Sequence, residues 1–227
     1  MLIPIIYFIA AFIEIFGEFS ENYNVIFYSK IILMPLLMLY VYLQTKAKGK
    51  YLFLILGLFF SWFGDIFLMI RHQQASEKVK LFFILGLASF LIAHVQYIIA
   101  FIKEIYLKNK VSIVVSKPYI VLPFLLFIIT LWIILGNSIN EVKMPIYLYS
   151  IVICTMSITA FNRKELVNHK SFLMVFVGAL LFMFSDSCIA ISVFKQHFYL
   201  DRVIIMATYI IAQYLIVKGF LLNKQEN

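Results

Sequence analysis

Charge is scarce in this chain of 227 residues: only 13% of positions are Asp, Glu, Lys or Arg, where a water-soluble domain carries about a quarter. Apolar residues make up the difference, 64% of the total with 18% aromatic, in runs that approach the roughly 20 residues needed to cross a bilayer. That excludes a soluble domain and predicts a polytopic membrane protein. Cysteine is nearly absent: Cys154 and Cys188 stand alone in apolar runs without metal or redox spacing and read as core residues. The N-terminus, "MLIPIIYFIAAFIEIFGE", lacks a basic leading region and a small-residue cleavage site, so it reads as a retained first helix rather than a signal peptide. There is no GxSxG, no Cys/His pair with recognisable context and no phosphate-cradling glycine loop, which removes support for serine lipase chemistry. His72, His169 and His197 have no ligand spacing, so neither a metal site nor a cofactor is expected.

What charge there is sums to +8, but it lies in short clusters between apolar runs and not in a basic stripe interleaved with aromatics. Nucleic acid is therefore not an expected partner. Eight spans are predicted, at about 2–19, 25–43, 51–70, 80–102, 119–136, 144–161, 171–194 and 202–222, separated by connections too short for a further domain. The chain reads as a single transmembrane domain over 1–227. Lys46, Lys48, Lys50, Lys103, Lys108, Lys110, Lys117, Arg163, Lys164, Lys170 and Lys224 fall on one side, against Arg71, Lys78, Lys80, Lys143, Lys195 and Arg202 on the other. This asymmetry predicts both termini in the cytoplasm.

An internal repeat runs through the chain. "GLFFSWFGD" (57–65) matches "GALLFMFSD" (178–186), "ASFLIAH" (88–94) matches "ATYIIAQ" (207–213), and "YS" recurs at 28–29 and 149–150. The shared register predicts an all-α architecture of two parallel four-helix repeats, about 1–110 and 111–227, with Asp65 and Asp186 as symmetry mates.

An ionised group at mid-bilayer costs about 3 kcal/mol or more, so one that is retained usually faces the interior and acts there. Glu14, Lys30, Asp65 and Asp186 are such groups. Counted at about 1.5 Å per helical residue, all four lie roughly 8–12 Å below one membrane face. Gly57, Ser61 and Asp65, at i, i+4 and i+8, form a small and polar stripe suited to close helix packing. Three acids and one lysine in a low-dielectric pocket cannot all be ionised cheaply, so one carboxyl is expected to keep its proton, the arrangement needed for general acid–base chemistry. Asp65, among Trp62, Phe63 and Ile66, is the expected acid. Asp186, flanked by Ser185 and Ser187 as hydrogen-bond donors, is the expected base. His94 and the repeat-equivalent Gln213 are supporting candidates.

The segments "FSWFGDIFLM", "GLASFLIAH", "GALLFMFSDS" and "MATYIIAQYLIVKG" resemble the YhhN family of integral membrane proteins, over essentially the whole chain. Near Lys30 the family has a proline directly after the lysine, whereas here the run is "SKIILMP" with Pro35 five residues on. The resemblance implies a hydrolase of the vinyl ether in a lysoplasmalogen, with a lysophospholipid of the bilayer as substrate, an inner-membrane location in a bacterium, and the acids of the "GD" and "SD" segments, Asp65 and Asp186, as catalytic groups. From the residues alone two other readings stay open. One is a proton-coupled transporter of a small molecule or lipid, which the repeat and the buried polar groups suit. The other is a scaffold in which an ion-pair network fixes helix registry.

Overall fold

In lipid, a backbone must satisfy its own hydrogen bonds, and apolar runs of this length do so as helices. The computed structural model describes residues 2–71, 76–106 and 113–223. Among them the chain is helical and contains no strand. Eight helical stretches are long and apolar enough to cross a membrane, which makes this a multi-pass membrane protein. In chain order the helices are α1 (Leu2–Phe19), α2 (Tyr23–Thr45), α3 (Lys50–Arg71), α4 (Ser76–Tyr106), the short α5 (Ile113–Ser116), α6 (Leu122–Leu135), α7 (Lys143–Phe161), α8 (His169–Phe194) and α9 (Asp201–Leu221).

Local chemistry sets the ends. Asn22 caps α2 by accepting from the Val25 N–H at 3.3 Å, and Asn168 caps α8 through the Lys170 N–H at 2.9 Å. Each cap extends its helix by two residues beyond the sequence expectation. Lys46 closes α2 in the left-handed region, its N–H reaching Tyr42 O, and Gly49 (φ 58°) completes the turn into α3. The fifth span departs from the continuous helix expected at 119–136. Tighter 3-10 turns at Pro118–Val121 and Gly136–Val142 flank a 14-residue α6. Pro118 and Pro123, neither with an N–H to donate, each sit in the first turn of a helical segment, and Gly136 (φ 49°) ends α6.

The chain divides into two compact units, Met1–Ala100 and Phe101–Asn227, with the boundary inside α4. In the first unit α1 packs on α2 and α2 on α3. Glycines let the aromatics of α4 against α3: the Tyr97 ring fills the notch at Gly57 and the Phe90 ring the notch at Gly64. Pro35 lies inside α2 and gives no N–H to the carbonyl four residues back, that of Ile31. The Trp62 indole of α3 donates to that Ile31 oxygen at 2.8 Å. A helix defect is thus turned into a link between two helices.

In the second unit α8 packs along α9, and α7 lies against α8. Gly178 and Gly219 meet the facing backbone at Ala212–Ile216 and Val175. One end of the unit is tied by Arg163, a residue the sequence assigns to a loop. Its side chain is fully buried instead. The guanidinium donates to Glu104 Oε2 at 2.6 Å and to Ser171 Oγ at 2.9 Å, and its carbon lies 5.7 and 5.5 Å from the centres of the Phe101 and Phe220 rings, which also contact each other. Ser171 Oγ in turn donates to Gly219 O, and Asn223 donates to the second Glu104 oxygen. Arg163 therefore does not count as a water-facing charge in the loop asymmetry. Of the other residues read from the loops, His72, Lys108, Lys110 and Lys224 lie outside the described residues.

Candidate functional site

Rare charges in an apolar helix must find one another, and in the first unit they do. Glu14 of α1 is fully buried, and its Oε2 accepts from Ser29 Oγ of α2 at 2.5 Å. The Lys30 ammonium, on the next residue, stands 4.0 Å from Glu14 Oε1 and 3.9 Å from Glu18 Oε1. Asp65 of α3 is buried as well, and it lies within electrostatic range of both Glu14 and Lys30. Three helices thus bring the carboxyl groups of Glu14, Glu18 and Asp65 into the surroundings of one ammonium. Glu18 was not anticipated, although its i+4 spacing from Glu14 on an apolar helix was the available signal. Tyr23, near the start of α2, donates its hydroxyl to Met69 O of α3 at 3.4 Å.

Ser61 is buried one helical turn before Asp65. His94 is buried on α4 between Phe90 and Tyr97. The pairings Gly57–Tyr97 and Gly64–Phe90 fix the antiparallel register of α3 and α4, which brings Ser61 level with Ala93 and His94. Gly57, the first residue of the small and polar stripe, therefore packs on α4.

In the second unit the acid has a different partner. Asp186 of α8, 9% exposed, accepts the phenolic hydroxyl of Tyr149 from α7. The flanking serines do not donate to it as expected. Ser185 donates to Ile205 O of α9 at 2.9 Å, and Ser187 turns back to Met183 O in its own helix at 2.8 Å. Helical geometry is the reason: neighbours in sequence are about 100° apart around the axis, so residues either side of Asp186 face other surroundings. Gln213 is buried on α9. Neither cysteine stands in a reactive setting: both are buried, and Cys154 contacts Met183 Sδ at 3.5 Å.

A further polar group escaped the sequence reading. At the turn from α8 to α9, Asp201 Oδ2 accepts from Ser192 Oγ at 2.5 Å and lies 2.7 Å from His197 Nδ1. His197, taken as an isolated loop histidine, is therefore oriented by a carboxylate. The i, i+4 spacing of His197 and Asp201 was the signal. Ser192 meets this same carboxylate oxygen and Nδ1, not the far ring nitrogen, so the three do not form a nucleophilic serine triad.

The arrangement of each acid suits proton chemistry: a carboxyl cluster around an ammonium in one unit, and a carboxylate aligned by a phenol in the other. No curated protein and no solved structure matches the chain. The model of the YhhN family matches residues 25–220, most of the chain and a stretch that includes Lys30, Asp65 and Asp186, and the protein belongs to that family.

Proposed function

We propose that this protein is a membrane-embedded hydrolase that cleaves the vinyl ether bond of lysoplasmalogens. Its substrates are 1-alkenyl-glycerophospho-ethanolamine or -choline, and its products a fatty aldehyde and the glycerophospho-alcohol. The observation that carries the reading is that Asp65 and Asp186, in the matched segments "GLFFSWFGD" and "GALLFMFSD", are each buried within a membrane-spanning helix. The same reading takes 1–110 and 111–227 as parallel four-helix repeats in which these aspartates are equivalents. It places the protein in a bacterial inner membrane with both termini in the cytoplasm.

The chemistry needs two carboxyl groups in opposite states. The Asp65 carboxyl protonates the β-carbon of the vinyl ether, leaving an oxocarbenium ion at the α-carbon. Water adds there while the Asp186 carboxylate takes its proton, and the negative charge of that carboxylate offsets the developing cation. The resulting hemiacetal collapses: its hydroxyl proton passes to the glycerol oxygen, the carbon–oxygen bond breaks and the aldehyde leaves. Asp186 gives its proton to water and Asp65 takes one from water, which restores the starting state. The Tyr149 hydroxyl donated to Asp186 suits a group acting as acceptor. Lys30, Glu14, Ser61, His94 and Gln213 are assigned supporting roles, Lys30 by attracting the lipid phosphate.

The test is fatty-aldehyde release from a lysoplasmalogen by the purified protein, beside Asp65→Asn and Asp186→Asn. Loss of about a hundredfold or more in both folded variants is the expected result, since a positioned acid or base contributes about 10²–10⁴. A monodisperse wild type that releases no aldehyde overturns the substrate assignment and makes proton-coupled flux the next measurement.

A further inference from the structure

The side chain of Glu14 is fully buried in α1, and its two oxygens are served unequally. Oε1 has no hydrogen-bond partner among the described residues, and the Lys30 ammonium stands 4.0 Å from it, beyond hydrogen-bond reach. Oε2 touches Ser29 Oγ at 2.5 Å. An ionised carboxylate offers about four lone-pair sites, and burying one is costly unless it is both paired and hydrogen-bonded.

Ser29 cannot make up that shortfall. Its Oγ also lies 2.6 Å from Val25 O, one turn back in α2, and 3.3 Å from Ile26 O. A serine hydroxyl carries a single hydrogen. Glu14 Oε2, Ser29 Oγ and Val25 O thus form a chain with two gaps at hydrogen-bond distance, and oxygens this close repel when no hydrogen lies between them. The contact of Ser29 with Glu14 can run either way, from the hydroxyl into a carboxylate or from a carboxylic acid into the hydroxyl oxygen. Only the second puts a hydrogen in each gap. Glu14 Oε2–H then donates to Ser29 Oγ, and Ser29 donates to Val25 O, the bond a helical serine commonly makes to the carbonyl four residues back.

The surrounding charges favour the same state. Within electrostatic range of Glu14 are Glu18 on its own helix, Lys30 on α2 and Asp65 on α3, and the Tyr23 phenol lies within range of Lys30. Three carboxylates would face one ammonium with two negative charges in excess. With Glu14 neutral, and Asp65 protonated as the hydrolase reading has it, Lys30 and Glu18 balance one to one at 3.9 Å.

We infer that Glu14 is a resident proton site, a carboxylic acid at neutral pH that ties α1 to α2 by giving its hydrogen to Ser29. Loss of that proton to water turns the Ser29 hydroxyl from Val25 O to Glu14 Oε2 and leaves Lys30 between two carboxylates. One proton therefore sets the polar contact between the two helices. Glu14 lies before the residues matched to the family. The inference goes beyond the hydrolase reading and does not need it, since a proton-coupled transporter would hold the same proton.

The experiment is infrared spectroscopy of the purified full chain in a maltoside detergent at neutral pH, with glutamate isotope-labelled at the side-chain carboxyl carbon. The label moves the C=O stretch of a glutamic acid and leaves those of aspartic acid and lipid ester in place, so a protonated Asp65 is not mistaken for Glu14. A labelled acid band is expected in wild type, lost in Glu14→Gln and retained in Glu18→Gln. Ser29→Ala should keep the band and raise its frequency, because the acid loses the oxygen it donates to. Glutamine is a neutral isostere with an N–H for Ser29 Oγ, so Glu14→Gln should melt close to wild type. A folded wild type without the labelled band, or a band that survives Glu14→Gln, overturns the assignment. So does a Glu14→Gln variant that melts far below wild type or fails to fold, which would mark a charge the fold requires. A band unmoved by Ser29→Ala overturns the donation to Ser29. The band together with no aldehyde release would keep the proton site and sink the hydrolase.

Discussion

At the scale of single residues, the buried charges divide by what surrounds them. Arg163 is hydrogen-bonded at Nε and at a terminal nitrogen and lies against the rings of Phe101 and Phe220. Removing it leaves Glu104 buried without its counter-ion. Arg163→Ala is expected to lose about 3–5 kcal/mol of unfolding free energy, against at most about 0.5 kcal/mol for the exposed Lys195→Ala, both read by denaturant titration in detergent. Arg163→Lys should recover little, since a point ammonium cannot span Glu104 and Ser171 together. Tyr149→Phe takes the hydroxyl from a buried acceptor. It is expected to destabilise by about 1–3 kcal/mol and to slow aldehyde release while the protein stays folded. The acids themselves were legible because charge is so rare in the spans that each one stands out. Tyr149 was not, because it is one of 14 tyrosines and only the packing of α7 on α8 selects it. The serines beside Asp186 misled for the converse reason: adjacency in sequence is not adjacency on a helix.

At the scale of elements, close approach depends on what a glycine omits. A Cβ on Gly178 would sit 2.9 Å from Ala212 O and 3.0 Å from Ile216 N, both backbone atoms that cannot swing aside. Thermal unfolding of Gly178→Ala should report a loss of about 1–3 kcal/mol as α8 and α9 are forced apart. Gly49→Ala meets open space, and its effect comes from the positive φ instead, about 1 kcal/mol. The eight spans could be read from the chain because a bilayer demands a minimum run of apolar residues. Their caps could be read only in part: Asn22 and Asn168 are ordinary polar residues until the first helical turn gives them an N–H to accept from. The shape of the fifth span was hidden because hydropathy is blind to the difference between an α-helix and a 3-10 turn.

At the scale of the whole molecule, the eight candidate spans among the described residues and the charge asymmetry of the connections predict both termini in the cytoplasm. A fluorescent protein fused to the C-terminus should therefore fold and emit in cells, and alkaline phosphatase fused there should stay inactive. The opposite pair of results would invert the orientation. The charge asymmetry behind this expectation survives the loss of Arg163 from the count, because the remaining lysines on that side still outnumber the basic residues opposite. The two tryptophans give the molecule a further property. Trp62 bonds to the carbonyl that Pro35 leaves open, three residues before Asp65, while Trp132 bonds to Ser150 and stacks on Tyr147 in the other unit. Each unit thus carries one indole of its own. With Trp132→Phe as background, a change in emission wavelength or quenching would report events beside Asp65 alone. With Trp62→Phe, the remaining signal would belong to the second unit. The two single-tryptophan variants thus read the two units separately, without an added dye.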